Sequence, residues 1–555
     1  MIAQEEVRVA TSRRLLDNLA RLVWVCAKAF AMKFLPLSAL LLVAGSLPAP
    51  AQDAQTVQFA MDAAKPGKPI SRFIYGVNLS LDAAYANLTL TRAGGNRWTA
   101  YNWTNNASNA GSDWQFQNDN FLGGGDVPGG ALIPALKNAG ERGAGMIITV
   151  PIAGYVAADK NGGGDVRKSG PDYLQTRFRK SLPRKGAAFT LDPSPGSEIV
   201  YQDEFVNWVM KNFPYGATDP ARPIFFCLDN EPDLWQSTHA EIHPANPTYE
   251  EMVLRTIDYS RAIKDTFPAA TIFGPVNYGW QGYVRLQNAP DANNRDFQEF
   301  YLQKMAEAQK QYGRRLLDVL DVHWYPEAQG GGKRIIGPES NPGIVAARLQ
   351  APRSLWDPDY TESSWITKVI NGPIKLLPRL QEKINKFYPG TKLAVTEYNY
   401  GGGDHISGAI AEADVLGIFG REGVYAACQW PLAGKQPYVA AAFAMFRNFD
   451  GKNGAFGDTS LDASTSNAAD TSFYASADPA NPKRLVLVAI NKTAQPIAGV
   501  FNLVHVTPGV AAAIYQLTEA GASPKFSGTE TVADPGNFHY TLPAYSVSTL
   551  NVTMP

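Results

Sequence analysis

Cysteine is scarce in this chain: Cys26, Cys227 and Cys428 are the only three in 555 residues. They cannot build a disulfide framework, and the last two sit in apolar runs where a buried thiol is the simpler reading. The fold must therefore rest on its core. Charge of one sign is also lacking, since 50 Lys and Arg stand against 51 Asp and Glu. That balance gives no basic surplus to hold nucleic acid and no acidic tail. Charged residues are only 18% and hydrophobic residues 45%, which excludes disorder over most of the length. Beyond residue 51 no apolar run is long enough to cross a bilayer. Tryptophan is missing from the tail: ten of eleven lie between Trp98 and Trp430 and none follows. A sugar-binding module displays stacking aromatics, so the tail reads as a structural buttress.

The first fifty residues read as an address. Met32-Lys33 precedes the uncharged apolar stretch Phe34 to Leu47, and Ala49-Pro50-Ala51 matches a signal-peptidase site. Residues 32–51 are thus expected to be a signal peptide, and residues 1–31 an extension ahead of it that fits an upstream mis-assigned start. A retained anchor is the competing reading, but the apolar run is short for a span. The expectation is a secreted protein, extracellular or periplasmic, free of the membrane after signal removal and acting as a monomer.

At about 150 residues per domain, the length fits one large barrel plus a smaller partner. Short β-rich apolar runs recur, each followed by a Gly-rich or aromatic loop and then a helical pattern. The candidate strands are Phe73 to Val77, Asn96 to Ala100, Met146 to Val150, Ile224 to Leu228, Thr271 to Gly274, Val319 to His323, Leu393 to Thr396 and Val424 to Gln429. Amphipathic segments such as Glu204 to Phe213 and Thr248 to Phe267 lie between them, the second opened by a Thr248/Glu251 capping box. The expected fold class is α/β, a (β/α)₈ TIM-type barrel over residues 73–450, with an all-β sandwich over 451–555. A doubly wound open sheet shares the rhythm. Residues 52–72 hold a strand expected to join the β domain.

The richest segment is Ile224-Phe-Phe-Cys-Leu-Asp-Asn-Glu-Pro232, a buried strand stopped by Pro. It leaves Glu231 at the strand's carboxyl end, where desolvation raises a carboxyl pKa as a proton donor requires. A second strand, Leu393 to Thr396, ends in Glu397-Tyr398-Asn399-Tyr400. In a barrel these two acids can face each other across the mouth, and a protonated and an ionised carboxyl are the minimum equipment for glycoside hydrolysis. Aromatics gather at the same level: Trp98, Tyr101 and Trp103, then Tyr278 and Trp280, then His323, Trp324 and Tyr325, then Tyr398 and Trp430. Sugar rings stack an apolar face on such rings while their hydroxyls meet amides and carboxylates. His239 and His243 are four apart, but Glu241 does not follow the first His as a zincin requires. Asp450-Gly-Lys-Asn453-Gly has a calcium-loop composition without its spacing, and reads as a turn.

The motifs Leu228-Asp-Asn-Glu-Pro-Asp-Leu-Trp235, Asp321-Val-His-Trp-Tyr-Pro-Glu327, Thr396-Glu-Tyr-Asn-Tyr400, His405-Ile-Ser-Gly408 and Gly417-Ile-Phe-Gly-Arg-Glu-Gly423 together resemble glycoside hydrolase family 44, endoglucanases and xyloglucanases of the retaining barrel clan. Asn-Glu-Pro alone marks the clan, and the later motifs are more specific. The resemblance runs from about Asn78 through Asp458. It implies Glu231 as acid/base, Glu397 as nucleophile and Asn230 near the sugar 2-hydroxyl, acting on β-1,4-glucan as substrate. No cofactor is implied as required; a structural calcium is compatible with the family, with no metal ligands assignable here. A β-mannanase or xylanase of the same clan, a non-catalytic carbohydrate binder and a metal-dependent hydrolase remain as alternatives.

Overall fold

The computed structural model describes residues 55–555, apart from positions 66, 79–84, 86 and 433. The extension and the signal segment assigned to residues 1–51 lie outside the described residues. Eight parallel strands close into a barrel and are numbered in chain order: β1 Gly76–Asn78, β2 Leu90–Ala93, β3 Gly145–Val150, β4 Ile224–Leu228, β5 Ile272–Asn277, β6 Val319–Trp324, β7 Lys392–Tyr398 and β8 Ala426–Gln429. Each pairs with its neighbours in sequence, and the ring closes where Cys428 and Gln429 of β8 pair with Gly76 and Val77 of β1. Among the described residues no helix is long and apolar enough to cross a membrane.

Two strands differ from the sequence-based placement. Residues 96–99 form a short helix, Asn96–Thr99, and β2 lies earlier. Its sequence Leu-Thr-Arg-Ala hides a strand because Arg92 interrupts the apolar run, although Arg92 is fully buried. Of Phe73 to Val77, residues Arg72–Ile74 form a 3₁₀ turn, so β1 starts only at Gly76.

Strand alternation divides the core. In β4, Phe225 and Cys227 point into the barrel against Phe73, Ile147, Phe273 and Cys428, while Phe226 and Leu228 pack under the surrounding helices. Burial pushes the Cys227 thiol up to about 11, which keeps it an inert apolar filler. Above that apolar layer the interior turns polar with Asn78, Arg92, Asp321 and Thr396, all nearly inaccessible. β7 carries an irregularity at this level: Val395 pairs with Val322 of β6, but the next pair is His323 with Glu397. The extra residue, Thr396, turns inward with Glu397 rather than alternating with it. A β-bulge of this kind re-aims every side chain beyond it.

The helix Tyr249–Thr266 is capped by Thr248, whose Oγ1 accepts from the Glu251 N–H at 3.0 Å. Only half of the expected box forms, because the Glu251 carboxylate goes to His243 Nε2 and Arg255 Nε, each at 2.9 Å.

A seven-stranded and a four-stranded sheet form the β domain over a core that includes Val57, Phe59, Leu487 and Phe501. The strand Thr56–Asp62 lies in this sandwich, parallel to Ile497–Val504, with Phe59 stacked on Phe501 at 4.6 Å. The helix Ile406–Glu422 joins the two parts. Its Gly417 lies under the Tyr474 ring, which an added Cβ would meet at 2.4 Å. One turn earlier Asp414 takes Lys492 of the sandwich at 2.8 Å and accepts from the Tyr474 hydroxyl at 2.5 Å. Both members of that ion pair are at most 2% exposed. Replacing Lys492 by Met leaves a buried carboxylate uncompensated, so unfolding in urea is expected to show a loss of about 3–5 kcal/mol. The double variant Lys492→Met/Asp414→Leu is expected to recover part of it.

Candidate active site

The carboxyl end of the barrel opens into a cleft of about 820 Å³ whose walls include Trp98, Trp114, Phe121, Asn230, Tyr325 and Trp430. Glu231 and Glu397 both open onto it. Their carboxylate oxygens and the His323 ring nitrogen lie within 4.8 Å of one another.

Glu231 is placed by strained backbone. It follows β4 in the left-handed region at φ 45°, and Asp229 two residues earlier is at φ 70°. Asp229 pins this turn: its carboxylate accepts from the Thr99 hydroxyl at 2.6 Å and from the N–H groups of Ile152, at 2.7 Å, and Asn230, at 2.9 Å. The Glu231 N–H donates to the Val276 carbonyl of β5 at 3.1 Å.

The two acids sit in opposite electrostatic settings. Both oxygens of Glu397 accept from strong donors: Arg92 Nη1 at 2.7 Å on Oε1 and the Tyr325 hydroxyl at 2.8 Å on Oε2. Among the described residues Glu231 has no permanent cation at contact distance, and its side chain is 16% exposed. Burial pushes its carboxyl up to about 7, partly opposed by the charge of Arg92 and aided by Asp113. His323 lies between them, with Nδ1 at 2.8 Å from Glu231 and 3.5 Å from Glu397. Burial holds its pKa down to about 3, so it is neutral around pH 7. Its Nε2 is buried without a partner among the described residues.

Arg92 organises the floor. Besides Glu397, it donates to Asn78 Oδ1 at 3.1 Å through Nη1 and to Asn230 Oδ1 at 2.8 Å through Nη2. Asn230 Oδ1 also accepts from the Gly95 N–H at 3.1 Å, which aims its amide group into the cleft wall. Below, the Thr396 hydroxyl donates to Asp321 at 2.8 Å.

The structure therefore brings together Glu231, Glu397, Asn230, Trp98, His323, Tyr325 and Trp430. Four sequence-selected residues lie elsewhere. Trp103 is fully buried, stacked on Phe205 at 5.7 Å and beside Trp208, because its loop folds back on the helix Gln202–Asn212. Trp280 starts a helix and packs on Tyr283, with Arg379 over its ring at 5.5 Å. Trp324 alternates out of the barrel next to inward-facing His323. Tyr398 follows the bulge and points outward, its hydroxyl donating to Glu412 at 2.7 Å. Arg92, Trp114, Phe121 and Arg97 escaped the sequence reading. Arg97 lies over the Phe121 ring at 4.0 Å and pairs with Asp119 at 2.6 Å, which holds an exposed aromatic face at the cleft's edge. A charge inside an apolar strand was the available signal for Arg92, since a buried cation demands partners.

The one cluster of potential metal ligands among the described residues is Glu231, His323 and Glu397. With Glu397 already paired to Arg92, it is no oxygen cage of the sort calcium takes. His239 and His243 serve separate partners, Glu241 at 2.8 Å and Glu251 at 2.9 Å. Asp450 Oδ1 accepts from the N–H groups of Lys452 and Gly454, which makes its loop a turn.

A pair of acids in a cleft on an eight-stranded barrel is common to many hydrolases, so sequence similarity decides the family. The profile of glycoside hydrolase family 44 matches residues 107–328. Endoglucanase A of Paenibacillus lautus is 42% identical over 508 residues, covering 89% of this chain and 72% of that protein. The chain belongs to glycoside hydrolase family 44. A solved Paenibacillus polymyxa xyloglucanase of this family, in complex with xyloglucan, is 40% identical with a TM-score of 0.85, covering 90% of this chain and all of that one. A beta-mannanase/endoglucanase A of Caldicellulosiruptor saccharolyticus is 39% identical over 451 residues, 76% of this chain but only 33% of that protein. This family 44 chain is accordingly an enzyme, a glycoside hydrolase.

Arg92→Lys keeps the charge but loses the planar fork that serves Glu397, Asn78 and Asn230 together, so kcat/KM is expected to fall about 100-fold with circular dichroism unchanged. Trp114 is 58% exposed in the cleft. Its replacement by Ala is expected to raise KM about fivefold, with kcat nearly constant, in steady-state kinetics on a polysaccharide.

Proposed function

We propose that this enzyme is an exported endo-acting hydrolase that cleaves β-1,4-glucans with retention, Glu397 acting as nucleophile and Glu231 as acid/base. The observation that carries the reading is that one oxygen of each carboxylate lies within 4.8 Å of one oxygen of the other, which suits the closer of two possible spacings. Retention needs carboxyl groups about 5–5.5 Å apart, whereas inversion needs about 6.5–9.5 Å to admit water between them. An open cleft with several aromatic side chains in its walls fits an extended chain bound through several rings.

The chemistry follows from the two settings. Glu397, hydrogen-bonded to Arg92 and Tyr325, attacks the anomeric carbon and displaces the glycosidic oxygen. Glu231, protonated up to about pH 7 by burial, gives its proton to that oxygen. Neutral His323 keeps Nδ1 at 2.8 Å from the Glu231 carboxyl and brings no charge to it. Glu231 next takes a proton from water, which attacks the glycosyl–Glu397 ester and releases the sugar with its original configuration. The Asn230 amide faces the 2-hydroxyl of the bound ring. No metal enters these steps.

The substrate assignment draws on relatives named for endoglucanase and xyloglucanase activity. Mannan is the second reading, favoured by the printed name of the Caldicellulosiruptor relative, of which this chain spans a third. A screen of cellulose, xyloglucan, mixed-linkage glucan, mannan and xylan with product analysis separates them.

Glu397→Gln is expected to abolish turnover without unfolding, and substantial residual activity in that variant removes Glu397 from its role. Glu231→Ala is expected to lose about 10²–10⁴-fold on polysaccharide but to spare glycosyl-enzyme formation from activated aryl glycosides. Because the working form of Glu231 is the protonated one, kcat/KM is expected to decline as pH rises through about 7, and a pH profile flat to 8.5 overturns the acid assignment.

A further inference from the structure

His239 is a buried histidine that the hydrolytic steps leave unused. Its side chain is inaccessible to solvent, as is that of Glu241, and both ring nitrogens are engaged. Nε2 lies 2.7 Å from the Asn96 carbonyl, which can only accept, so this nitrogen carries a proton. Nδ1 lies 2.8 Å from Glu241 Oε1, a contact that fixes the ring plane and with it the direction of the Nε2–H bond. The Glu241 main chain is tied in turn, its carbonyl accepting from the Tyr173 hydroxyl at 3.0 Å. Glu241 Oε2 is buried without a partner among the described residues. Apolar side chains would fill this space at less cost. What the polar pair supplies instead is one N–H aimed at one carbonyl.

That carbonyl belongs to the cleft. His239 ends the short helix Trp235–Thr238, in the loop that begins with Glu231, and reaches across to the turn after β2, where Gly95 and Asn96 line the cleft. The turn touches Asn230 twice: the Gly95 N–H donates to Asn230 Oδ1 at 3.1 Å, and Asn96 Oδ1 accepts from Asn230 Nδ2 at 3.5 Å. With Arg92 donating to the same Oδ1 at 2.8 Å, the Asn230 amide is fixed in one sense, its oxygen on the cation and its nitrogen on the side of Asn96. Asn96 Nδ2 also donates to Asp113 Oδ1 at 2.7 Å, and Asp113 is a further acid of the cleft wall. The turn that carries Asp113 rests on the same ring, since a Cβ on Gly111, at φ 54°, would sit 2.3 Å from the Thr238 carbonyl and 2.9 Å from His239 Cε1. The helix Asn96–Thr99 is thus held at both ends, by Asp229 on the Thr99 hydroxyl at 2.6 Å and by His239 on the Asn96 carbonyl. Three loops that furnish Glu231, Asn96 and Asp113 meet behind the cleft on one imidazole.

We propose that His239 is a positioning residue: through the Asn96 carbonyl it holds the Gly95–Asn96 turn against Asn230 and so keeps the Asn230 amide aimed at the bound sugar, a role that rests on the hydrolase reading above and deepens it. A group that acts in this way touches no substrate. Its removal misdirects an amide that meets the sugar as charge develops at the anomeric carbon, so the loss falls on kcat rather than on KM.

Two polar variants dissect the role. His239→Gln carries an amide N–H to the place of Nε2, whereas the shorter His239→Asn side chain ends near the place of Nδ1 and meets Glu241 but not Asn96. In His239→Asn, kcat/KM on a cello-oligosaccharide is expected to fall about 30-fold with KM within about twofold of wild type, and His239→Gln is expected to stay within about threefold. In an Asn230→Ala background the His239→Asn change is expected to cost less than about threefold, because the amide it serves is already gone. Equal losses in the two variants, no loss in either, or an undiminished loss in the Asn230→Ala background overturns the proposal. So does a His239→Asn chain that fails to fold, which assigns the pair to stability. A crystal structure of His239→Asn reads the same claim without turnover: the contact from the Gly95 N–H to Asn230 Oδ1 is expected to lengthen beyond about 3.5 Å, and an unmoved turn overturns the proposal. Wild-type protein that cleaves no β-glucan sinks the hydrolase reading alone, and that distance then decides for or against His239.

Discussion

One buried cation holds the active end of the barrel together. Arg92 enters the interior from β2 with no exposure to solvent and contacts Glu397 of β7, Asn78 of β1 and Asn230 beyond β4. Burying a guanidinium is costly unless its charge is paired and hydrogen-bonded; here Nη1 and Nη2 carry those contacts while Nε has no partner among the described residues, so the partners are constrained as tightly as the arginine itself. That constraint ties four quarters of the ring to one geometry. It also sets the two acids apart: Glu397 accepts a hydrogen bond from the guanidinium, whereas Glu231, out of its contact, is desolvated and keeps its proton to about pH 7.

The second constraint is the bulge in β7. Without the extra residue, Thr396 facing inward would send Glu397 outward and Tyr398 into the mouth. With it, Thr396 anchors to Asp321, Glu397 meets the cleft and Tyr398 leaves for Glu412. Period-two alternation explains most of the barrel; it slips at Val276 of β5 and at Thr396 of β7, and the second slip turns an acid into the cleft.

These two features mark the limit of what the sequence discloses. Glu231 was legible because an apolar strand is cut off by Asn-Glu-Pro, a local pattern with a local cause. The eightfold rhythm and the sandwich were legible for the same reason. β2 was hidden by its own arginine, whose burial depends on partners far away in sequence, and the true strand was displaced onto the short helix that follows. The inward or outward sense of Trp324 and Tyr398 was hidden because phase depends on a bulge that only strand pairing defines. Trp103 and Trp280 sit near strand ends, as sugar-stacking residues do, but tertiary folding returns both to helices. Trp114 and Phe121, which do meet the cleft, lie in a polar Asn- and Gly-rich loop with no periodicity to flag them.

The pairing of Thr56–Asp62 with Ile497–Val504 sets a timetable for making the molecule. The Gln58 N–H reaches a hydroxyl acceptor on Ser466, 408 positions away. During synthesis the barrel's last strand, β8, is complete before that partner exists, so the earliest strand of the sandwich waits idle while the rest is built. Its apolar side, Val57, Phe59 and Met61, is covered in the finished sandwich by residues that include Phe473 and Phe501, which are made later. A chain cut short by proteolysis or premature termination keeps that strip uncovered. Such a bare, unpaired strand is what aggregation and chaperones act on. The clasp between the two distant segments thus distinguishes a finished copy from an unfinished one before any substrate is met.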